Sequence, residues 1–303
     1  MIKKAAKRSI RSAPIPVLLK EKLLFFFQLG YWPNFDDPVS FCEKLHARKL
    51  RERDDRLVSL SDKLKVRDYV ADQIGDQYLI PLMYSGDKVD AEALVAFGDD
   101  VVIKRNDDSG SAFIIKENNH QMAVAACRSV DSRTGYGRST NEWWYEKIPS
   151  KILIEKRLAD PEQRERLIEY KFFVFGSVSG VPQILMEIIK REDGGRVECG
   201  FFDSEMRPIS RSGQAVKYRG CPLPSGGLPP KEIFAEMKSV ALKLSQGFNF
   251  VRVDLYAVSG KVYFSELTFN PAEGRFRVSP VEFDFELGHR WELPILLESS
   301  YPA

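Results

Sequence analysis

The chain has 303 residues, of which 44% are hydrophobic and 29% are charged, so it is predicted to be a globular protein of two domains or one large composite domain. The net charge of +2, from 45 basic and 43 acidic residues, gives no reason to expect a nucleic-acid partner. Four scattered cysteines without a Cys-x-x-Cys pair argue against a zinc site and favour a reducing, cytoplasmic setting.

The first 60 residues are predicted to form a helical N-terminal region. Residues 1–30 are basic and then apolar, but Lys20, Glu21 and Lys22 interrupt the apolar part, so a cleaved signal peptide is not expected. Two interpretations stay open for this segment. It is a basic amphipathic segment that rests on the inner face of an anionic membrane, or a solvated tail that leads into a packing helix.

Helix signals follow in two places before the pattern changes to short apolar runs. Ser40, after Asp36 and Asp37, is a helix-start signal. A second helix is predicted from Ser61, as its N-cap, to Gly75. From about residue 79 the chain predicts strands, and the runs 101–104 and 112–116 flank a polar loop. The other strand-like segments are 151–158, 170–178, 182–189 and 200–203.

The last third of the chain combines an amphipathic helix over 231–246 with a hairpin over 249–269 that turns at Ser259-Gly260. Antiparallel strands with a few helices define an α+β fold and not an alternating βαβ fold. No Gly-x-Gly-x-x-Gly follows a strand, and no phosphate-binding P-loop motif occurs, so the common dinucleotide and P-loop sites are not predicted.

The hairpin carries an unusual set of polar residues. One strand places Arg252, Asp254 and Tyr256 on one face. By simple alternation the other strand places four residues on one face, namely Val262, Phe264, Glu266 and Thr268. An odd-length loop such as 258–260 would bring Asp254 and Glu266 onto the same face, whereas an even-length loop would separate them.

If the two carboxylates do share a face, a positive group should lie between them. Like charges about 4 Å apart repel by about 4 kcal/mol at an effective dielectric constant of about 20. Mg²⁺ is one candidate, with Thr268 or Asn270 adding a neutral oxygen. A structural ion pair of Arg252 with Asp254 or Glu266 is the other, and the hairpin alone does not decide between them.

The order and spacing of seven segments resemble the TupA-like ATP-grasp family of polysaccharide biosynthesis. These segments are 29–54, 61–83, 101–111, 145–158, 169–176, 251–274 and 279–288. The resemblance implies an ATP-grasp fold in which two α+β subdomains, 61–153 and 154–303, grip ATP after the helical region 1–60. It also implies an ATP-dependent carboxylate–amine ligase that uses Mg²⁺ and forms an acyl phosphate, which an amine converts to an amide.

The resemblance assigns roles to individual positions. Lys63 and Lys104 match two lysines that hold the ATP phosphates. The lid loop over the phosphates corresponds to Ser109, Gly110 and Ser111. The hinge strand beneath adenine corresponds to Glu155, Lys156 and Leu158. Glu169 matches a ribose-side acid, and Lys171 a basic residue near the phosphate or the acceptor. Arg252 matches the arginine that stabilises the acyl phosphate, and Asp254 and Glu266 match the Mg²⁺-bridging carboxylates.

Two positions depart from the expected pattern. Thr268 stands where many ATP-grasp enzymes have the Asn of a Glu-x-Asn motif, and Asn270 follows two residues later. Asp107 and Asp108 stand where related loops have His-Gly, and acids beside a triphosphate are unfavourable unless they point away. Two alternatives to the ligase therefore stay open: a nucleotide-binding scaffold protein without turnover, and a sugar or peptide kinase.

The expected partners are a sugar carboxylate or polysaccharide precursor and an amine or amino acid, with peripheral contact to the membrane assembly machinery. The segment 131–149 offers candidate acceptor contacts, because arginine pairs with carboxylates and aromatic rings stack on sugars. The residues concerned are Arg133, Arg138, Trp143 and Trp144. The alternative is a loop whose aromatic residues pack on their own domain.

Overall fold

The structure is a computed structural model that describes residues 9–98, 100–110, 112–116, 119–133, 135–161, 167–177, 180–191 and 195–293. Its helices in chain order are α1 (Val17–Leu29), α2 (Phe41–Arg51), α3 (Arg56–Ser61), α4 (Val66–Ile74), α5 (Ala91–Ala96), α6 (His120–Ser132), α7 (Tyr136–Thr140), α8 (Trp143–Glu146), α9 (Lys231–Leu244) and α10 (Glu282–Arg290). None of these helices is long and apolar enough to cross a membrane.

The strands form two main antiparallel sheets. In chain order they are β1 (Leu82–Gly86), β2 (Val101–Arg105), β3 (Phe113–Ile115), β4 (Ile152–Lys156), β5 (Glu169–Phe175), β6 (Gln183–Arg191), β7 (Val197–Phe202), β8 (Ser210–Arg211), β9 (Gln214–Ala215), β10 (Lys217–Tyr218), β11 (Phe250–Val258), β12 (Lys261–Thr268) and β13 (Val278–Ser279). The smaller sheet has the order β1-β4-β2-β3 and the larger one β12-β11-β5-β6-β7. The predicted α+β class is therefore confirmed.

The smaller sheet and its helices have a core of their own. Leu94 of α5 and Ala123, Ala126 and Val130 of α6 pack on Ile103 and its neighbours in the sheet. Strand β4 pairs with β1 and β2 along its whole length. The predicted subdomain boundary between residues 153 and 154 therefore lies inside β4. Because the whole of β4 belongs to the smaller sheet, a boundary drawn between the two sheets follows residue 156.

The larger sheet is covered on both faces, which explains the nearly continuous apolar run in β5. Phe172 and Val174 face one core, with α9 and α4 packed against it. Phe173 and Phe175 face a second core, which includes residues of α2 and α10. That second core covers only one end of its sheet face, and charged side chains occupy the rest.

Two predicted helix starts have different outcomes. Ser40 caps α2, because its side chain accepts from the backbone N–H of Glu43 while the Glu43 carboxylate accepts from the N–H of Ser40. Ser61, predicted as an N-cap, instead ends α3. Helix α4 begins only at Val66, with Lys65 at the N-cap position and no side-chain cap hydrogen bond. The Asp62 carboxylate accepts from the N–H of Leu64 at 2.8 Å in the turn between α3 and α4.

Helix α1 is fastened to the rest of the protein by the buried carboxylate of Glu21. It accepts hydrogen bonds from Lys49 Nζ at 2.8 Å, Arg275 Nη1 at 3.1 Å and Asn141 Nδ2 at 2.7 Å, and it contacts His46 Nε2 at 3.1 Å. Burial alone would raise the pKa of Glu21, but Lys49, His46 and Arg275 together lower it well below the ordinary value. Residues of three distant segments therefore meet at one carboxylate.

This contact predicts that the protein loses stability in acid. Because the pKa of Glu21 is lower in the folded state, its contribution is present at neutral pH and is lost as the pH falls through the folded-state pKa. Each pH unit over which only the unfolded state binds the proton costs about 1.4 kcal/mol. The free energy of unfolding in urea, measured from about pH 5 to about pH 2, should fall less steeply for Glu21→Gln than for the wild type, because the unfolded state begins to bind the Glu21 proton only below the ordinary pKa of 4.5. Glu205→Gln, at an exposed position, is the control, and equal slopes for all three proteins would contradict the assignment.

Candidate active site

The hairpin of β11 and β12 brings the two predicted metal ligands together, though by another route than an odd-length loop. The turn is the two-residue loop Ser259-Gly260, with φ of 49° and 76°. A bulge at Ser265 then shifts the register, so that Asp254 lies directly opposite Glu266. The extra residue restores the shared face that an even-length loop alone would have removed.

The bulge also corrects the predicted alternation in β12. Val262 and Phe264 belong to the apolar core, whereas Glu266 and Thr268 line a cavity on the opposite side of the sheet. The four residues therefore do not share one face, because the single extra residue reverses the direction of every side chain after it.

Charged side chains lie in a row across four neighbouring strands of the larger sheet. Glu266, Asp254, Lys171 and Glu187 are consecutive cross-strand partners. Lys171 Nζ donates to Asp254 Oδ2 at 2.6 Å and pairs with Glu169 at 2.8 Å. Burial raises the pKa of Glu187 to about 7, against the opposing effect of Lys171, and its Oε1 has no hydrogen-bond partner among the described residues. Sequence reasoning missed Glu187, which looks like one polar residue in an apolar strand.

Arg252 lies between the two carboxylates of the hairpin. Its Nε and Nη2 donate to the Asp254 carboxylate at 2.6 and 2.7 Å, and Nη2 also donates to Glu266 Oε1 at 3.2 Å. Burial alone would raise the pKa of Asp254, but Arg252 and Lys171 lower it below the ordinary value. The ion pair that the sequence left open is therefore formed, and Asp254 stays charged at neutral pH.

A cavity of about 760 Å³ separates the two sheets and receives most of the predicted site residues. We call it the first cavity. The predicted residues that line it are Lys63, Lys104, Ser109, Gly110, Glu155, Lys156, Leu158, Glu169, Lys171, Arg252, Asp254 and Glu266. Ser111 lies outside the described residues. One part of the wall is apolar, with Ile80, Val102, Ile114 and Leu167, and suits a flat ring.

The two predicted phosphate lysines are held by different partners. Lys104 Nζ pairs with Glu155 at 2.7 Å, and Arg67 approaches the same carboxylate at 3.4 Å. The ammonium group of Lys63 donates to the backbone carbonyl of Asp108, and burial lowers its pKa. The family resemblance places Glu155 in the hinge strand beneath adenine. In the structure its side chain also positions Lys104.

The acids at 107 and 108 point to arginines and do not line either cavity. Asp107 accepts from Arg105 Nε at 2.9 Å, and Asp108 lies 3.5 Å from Arg133 Nη1. Their charges are therefore countered by neighbouring arginines and not directed at a bound phosphate.

A second cavity of about 580 Å³ adjoins the first, and Ser109, Arg252 and Glu266 line both. Thr268 and Asn270 line the second cavity. The Thr268 hydroxyl donates to Glu266 Oε1 and accepts from Arg252 Nη2, each at 3.0 Å. The Asn270 side chain, which is 3% exposed, lies beside Glu142 and lowers the pKa of that carboxyl, while its carbonyl oxygen has no hydrogen-bond partner among the described residues.

The segment 131–149 contributes to the second cavity through other residues than those predicted. Trp144 is buried in the main core, and Trp143 packs against that core. Arg133, Arg138 and the two tryptophans do not line the second cavity, whereas Tyr136, Glu142 and Tyr145 do. Sequence reasoning missed these three residues because their spacing has no distinctive pattern.

The two sheets face a shared cleft that contains two lysines, and the row of charged side chains on the larger sheet lies beside it. This arrangement is typical of the ATP-grasp class. A family model described as "TupA-like ATPgrasp" matches residues 43–292. The protein therefore belongs to the TupA-like ATP-grasp family, and the predicted family and fold are confirmed. No protein of curated function matches the chain.

Solved structures that resemble the chain include two ligases and a synthetase. D-alanine–D-alanine ligase from Helicobacter pylori has 14% identity and a TM-score of 0.46, over 78% of this chain and 61% of that chain. N5-carboxyaminoimidazole synthetase from Staphylococcus aureus has 12% identity and a TM-score of 0.43, over 78% and 52%. D-alanine–D-alanine ligase from Bacillus anthracis, complexed with ATP, has 15% identity and a TM-score of 0.39, over 70% of this chain and 54% of that chain. The chain thus spans less than two thirds of the length of these proteins.

Proposed function

We propose that the protein is an ATP-dependent carboxylate–amine ligase that joins a sugar carboxylate to an amine or amino acid. The observation that carries this proposal is the pair of adjoining cavities that share Ser109, Arg252 and Glu266 in their walls. The first has an apolar slot and two lysines suited to a nucleotide, and it meets the second at Arg252 and Glu266. A donor phosphate in one cavity and an acceptor carboxylate in the other would meet there.

The reaction requires little covalent chemistry from the protein. The acceptor carboxylate attacks the γ-phosphorus of ATP and releases ADP, and the amine then displaces phosphate from the acyl phosphate and loses a proton. Lys63 and Lys104 would neutralise the phosphates, and the backbone N–H groups of the loop at Ser109-Gly110 would cover them. Arg252 would stabilise the negative charge that develops at the junction of the cavities.

The oxygen donors at the junction fit Mg²⁺. A magnesium ion in such sites is held by one or two carboxylates together with substrate phosphates, and it neutralises phosphate charge when bound. Glu266 would supply one carboxylate at the junction, and Asp254, on the side of the first cavity, would supply the other while also accepting from Arg252 and Lys171. Thr268 is engaged with Glu266 and Arg252, whereas Asn270 has an unpartnered carbonyl oxygen, so Asn270 is the better candidate for the neutral ligand. Among the described residues no cluster of three or more His, Cys, Asp or Glu side chains suits a metal ion.

Turnover is favoured over the non-catalytic alternative. Two sequence features favour a scaffold protein, namely the acids at 107 and 108 and the missing Glu-x-Asn motif. Both acids lie against arginines, and Asn270 lines the second cavity together with Glu266. A sugar or peptide kinase would use the same first cavity but would release a phosphorylated product that is stable to amines.

A coupled assay of ADP release tests the proposed function. The purified protein is supplied with Mg-ATP, a uronic acid and a panel of amines and amino acids, and ADP release should require the uronic acid and one amine together. ADP release that needs no amine, with a stable phosphorylated sugar, would identify a kinase. If the folded protein releases no ADP with any member of the panel, the proposed ligase activity is wrong.

Lys104→Met is expected to weaken binding of Mg-ADP roughly ten- to a hundredfold, because a charge-assisted hydrogen bond to phosphate is worth about 1.5–3 kcal/mol. Isothermal titration calorimetry measures this loss directly. Lys88→Met, an exposed lysine of the same unit outside both cavities, is the control. Unchanged affinity in Lys104→Met would remove Lys104 from the phosphate site.

We also propose a peripheral contact with the anionic membrane surface at which the assembly machinery would act. Phe26, Phe27 and Trp32 are exposed and lie next to one another. The ring centre of Phe26 is 5.9 Å from that of Phe27 and 6.1 Å from that of Trp32. Lys20 and Lys22 precede them in α1. Sedimentation with anionic vesicles should fall when Phe26, Phe27 and Trp32 are changed together to serine.

A further inference from the structure

The second cavity contains two arginines to which the proposed mechanism gives no role. Arg219 directly follows β10, and Arg277 directly precedes β13, which pairs with β10. The backbone N–H of Arg219 donates to the carbonyl of Arg277 at 2.9 Å, so the two residues are cross-strand neighbours. Like charges in such positions destabilise an antiparallel pair unless something negative lies between them.

Most of the other charges of this cavity are already paired. Arg252 pairs with Asp254 and Glu266, while Arg275 and Arg11 both pair with Glu273. Glu142 is the exception, and burial raises its pKa to about 7. In the part of the chain that the structure describes, neither Arg219 nor Arg277 forms an ion pair. Apart from the electrostatic effect of Arg219 on Glu187, these two side chains leave the cavity with positive charge that an anionic ligand would neutralise.

The Arg219 side chain is supported by aromatic rings. Arg219 and Gly220, with φ of 51° and 76°, are the central residues of a β-turn that the N–H of Cys221 closes on the carbonyl of Tyr218. The Arg219 guanidinium lies 5.0 Å from the ring centre of Tyr218, and Tyr218 stacks on Phe276 at 4.7 Å, so the guanidinium is supported by a packed aromatic pair.

We infer that Arg219 and Arg277 bind a second anionic group, a phosphate or a carboxylate, on the same acceptor whose first carboxylate reacts beside Arg252. This inference rests on the proposed function for the identity of the acceptor. Paired guanidinium groups suit either anion, because each presents a fork of N–H donors. The acceptor is then a sugar acid with at least two negative charges, and not a free monocarboxylate.

The nucleotide is a poorer occupant for these arginines. Neither Arg219 nor Arg277 lines the first cavity, which has its own lysines for the phosphates. The second cavity, at about 580 Å³, lies within the size range of roughly 300–1,000 Å³ typical of small-molecule sites. It therefore has room for a sugar acid that carries an additional phosphate or a second sugar acid.

Calorimetry in the presence of Mg-ADP tests the inference without requiring turnover. Three probes are compared: glucuronic acid, glucuronic acid 1-phosphate and digalacturonic acid. The wild type should bind at least one doubly charged probe about tenfold or more tightly than glucuronic acid. The double variant Arg219→Gln/Arg277→Gln should lose that preference, and Lys217→Gln, which removes a nearby charge outside the cavity, should keep it.

The preferred probe distinguishes the sources of the anion. Tighter binding of the 1-phosphate assigns a glycosyl phosphate, and tighter binding of the disaccharide assigns a second sugar carboxylate. Equal affinity of the wild type for all three probes, no binding of any probe, or a preference that survives in the double variant would overturn the inference. Both arginines are exposed, so the variants should fold, and their melting temperatures and the two single variants check this.

The outcome is separable from that of the proposed function. If the protein releases no ADP but still prefers doubly charged probes through Arg219 and Arg277, the proposed ligase activity is wrong and the anion site is confirmed. If ADP is released and the KM for doubly charged acceptors is the same in the wild type and the double variant, the ligase stands and the anion site is wrong.

Discussion

Replacing Glu266 with glutamine is expected to reduce ADP release from Mg-ATP by at least about 100-fold while the protein stays folded. The side chain is 29% exposed at the junction of the two cavities, where it accepts from Arg252 and Thr268. Glutamine keeps the size of the side chain but removes the charge that would hold Mg²⁺. Its carbonyl oxygen can still accept from Arg252, so the fold has little reason to change.

The measurement combines initial rates of ADP release with a thermal melt of the same sample. Glu286→Gln is a matched control, because Glu286 is similarly exposed, at 33%, and also pairs with an arginine, but lies outside both cavities. It should keep wild-type turnover. Full activity in Glu266→Gln would remove Glu266 from the metal site, whereas loss of activity in both variants would point to a general effect of charge removal.

Arg252→Met is expected to destabilise the fold by about 3–5 kcal/mol as well as to abolish turnover. The guanidinium binds both oxygens of Asp254, which is 3% exposed. Removing it leaves this buried carboxylate with Lys171 as its remaining ion-pair partner. The loss should appear in the urea-unfolding free energy at neutral pH, where Asp254 is charged.

The matched control is Arg207→Met. Arg207 also pairs with an aspartate, Asp203, but its side chain is 68% exposed, and exposed pairs contribute only about 0–1 kcal/mol. Adding Asp254→Asn to Arg252→Met should recover part of the lost stability, because it removes the uncompensated charge. An equal loss in Arg207→Met and Arg252→Met would show that burial of the ion pair has no special effect.

Much of the fold follows from periodic patterns in the sequence. The helix α9 was predicted because Phe234, Met237, Val240 and Ala241 share a face, and these residues are buried together in the main core. The pairing of β2 with β3 followed from two apolar runs around a polar loop. Such elements are predictable because one local pattern both forms the element and decides which side is buried.

The site was only partly predictable, since its geometry depends on single residues and distant segments. The bulge at Ser265 leaves no signal in the sequence, yet it decides where Glu266 points. Arg219 and Arg277 are separated by 57 residues of chain and meet only through the pairing of β10 with β13. Glu21 stands between two lysines and looks like a surface residue, but the fold surrounds it with cations.

Helix α1 precedes residue 43, where the match to the family begins, yet its residues Leu24 and Gln28 line the second cavity. Part of the wall of the proposed acceptor cavity is thus contributed from beyond the matched region. Proteins with the same matched region could choose different acceptors by changing this one appended helix, without altering the nucleotide site. A variant that begins at residue 43 would keep the residues of the first cavity. It would lose the residues of α1 that line the second cavity, and with them the carboxylate of Glu21 that anchors the helix.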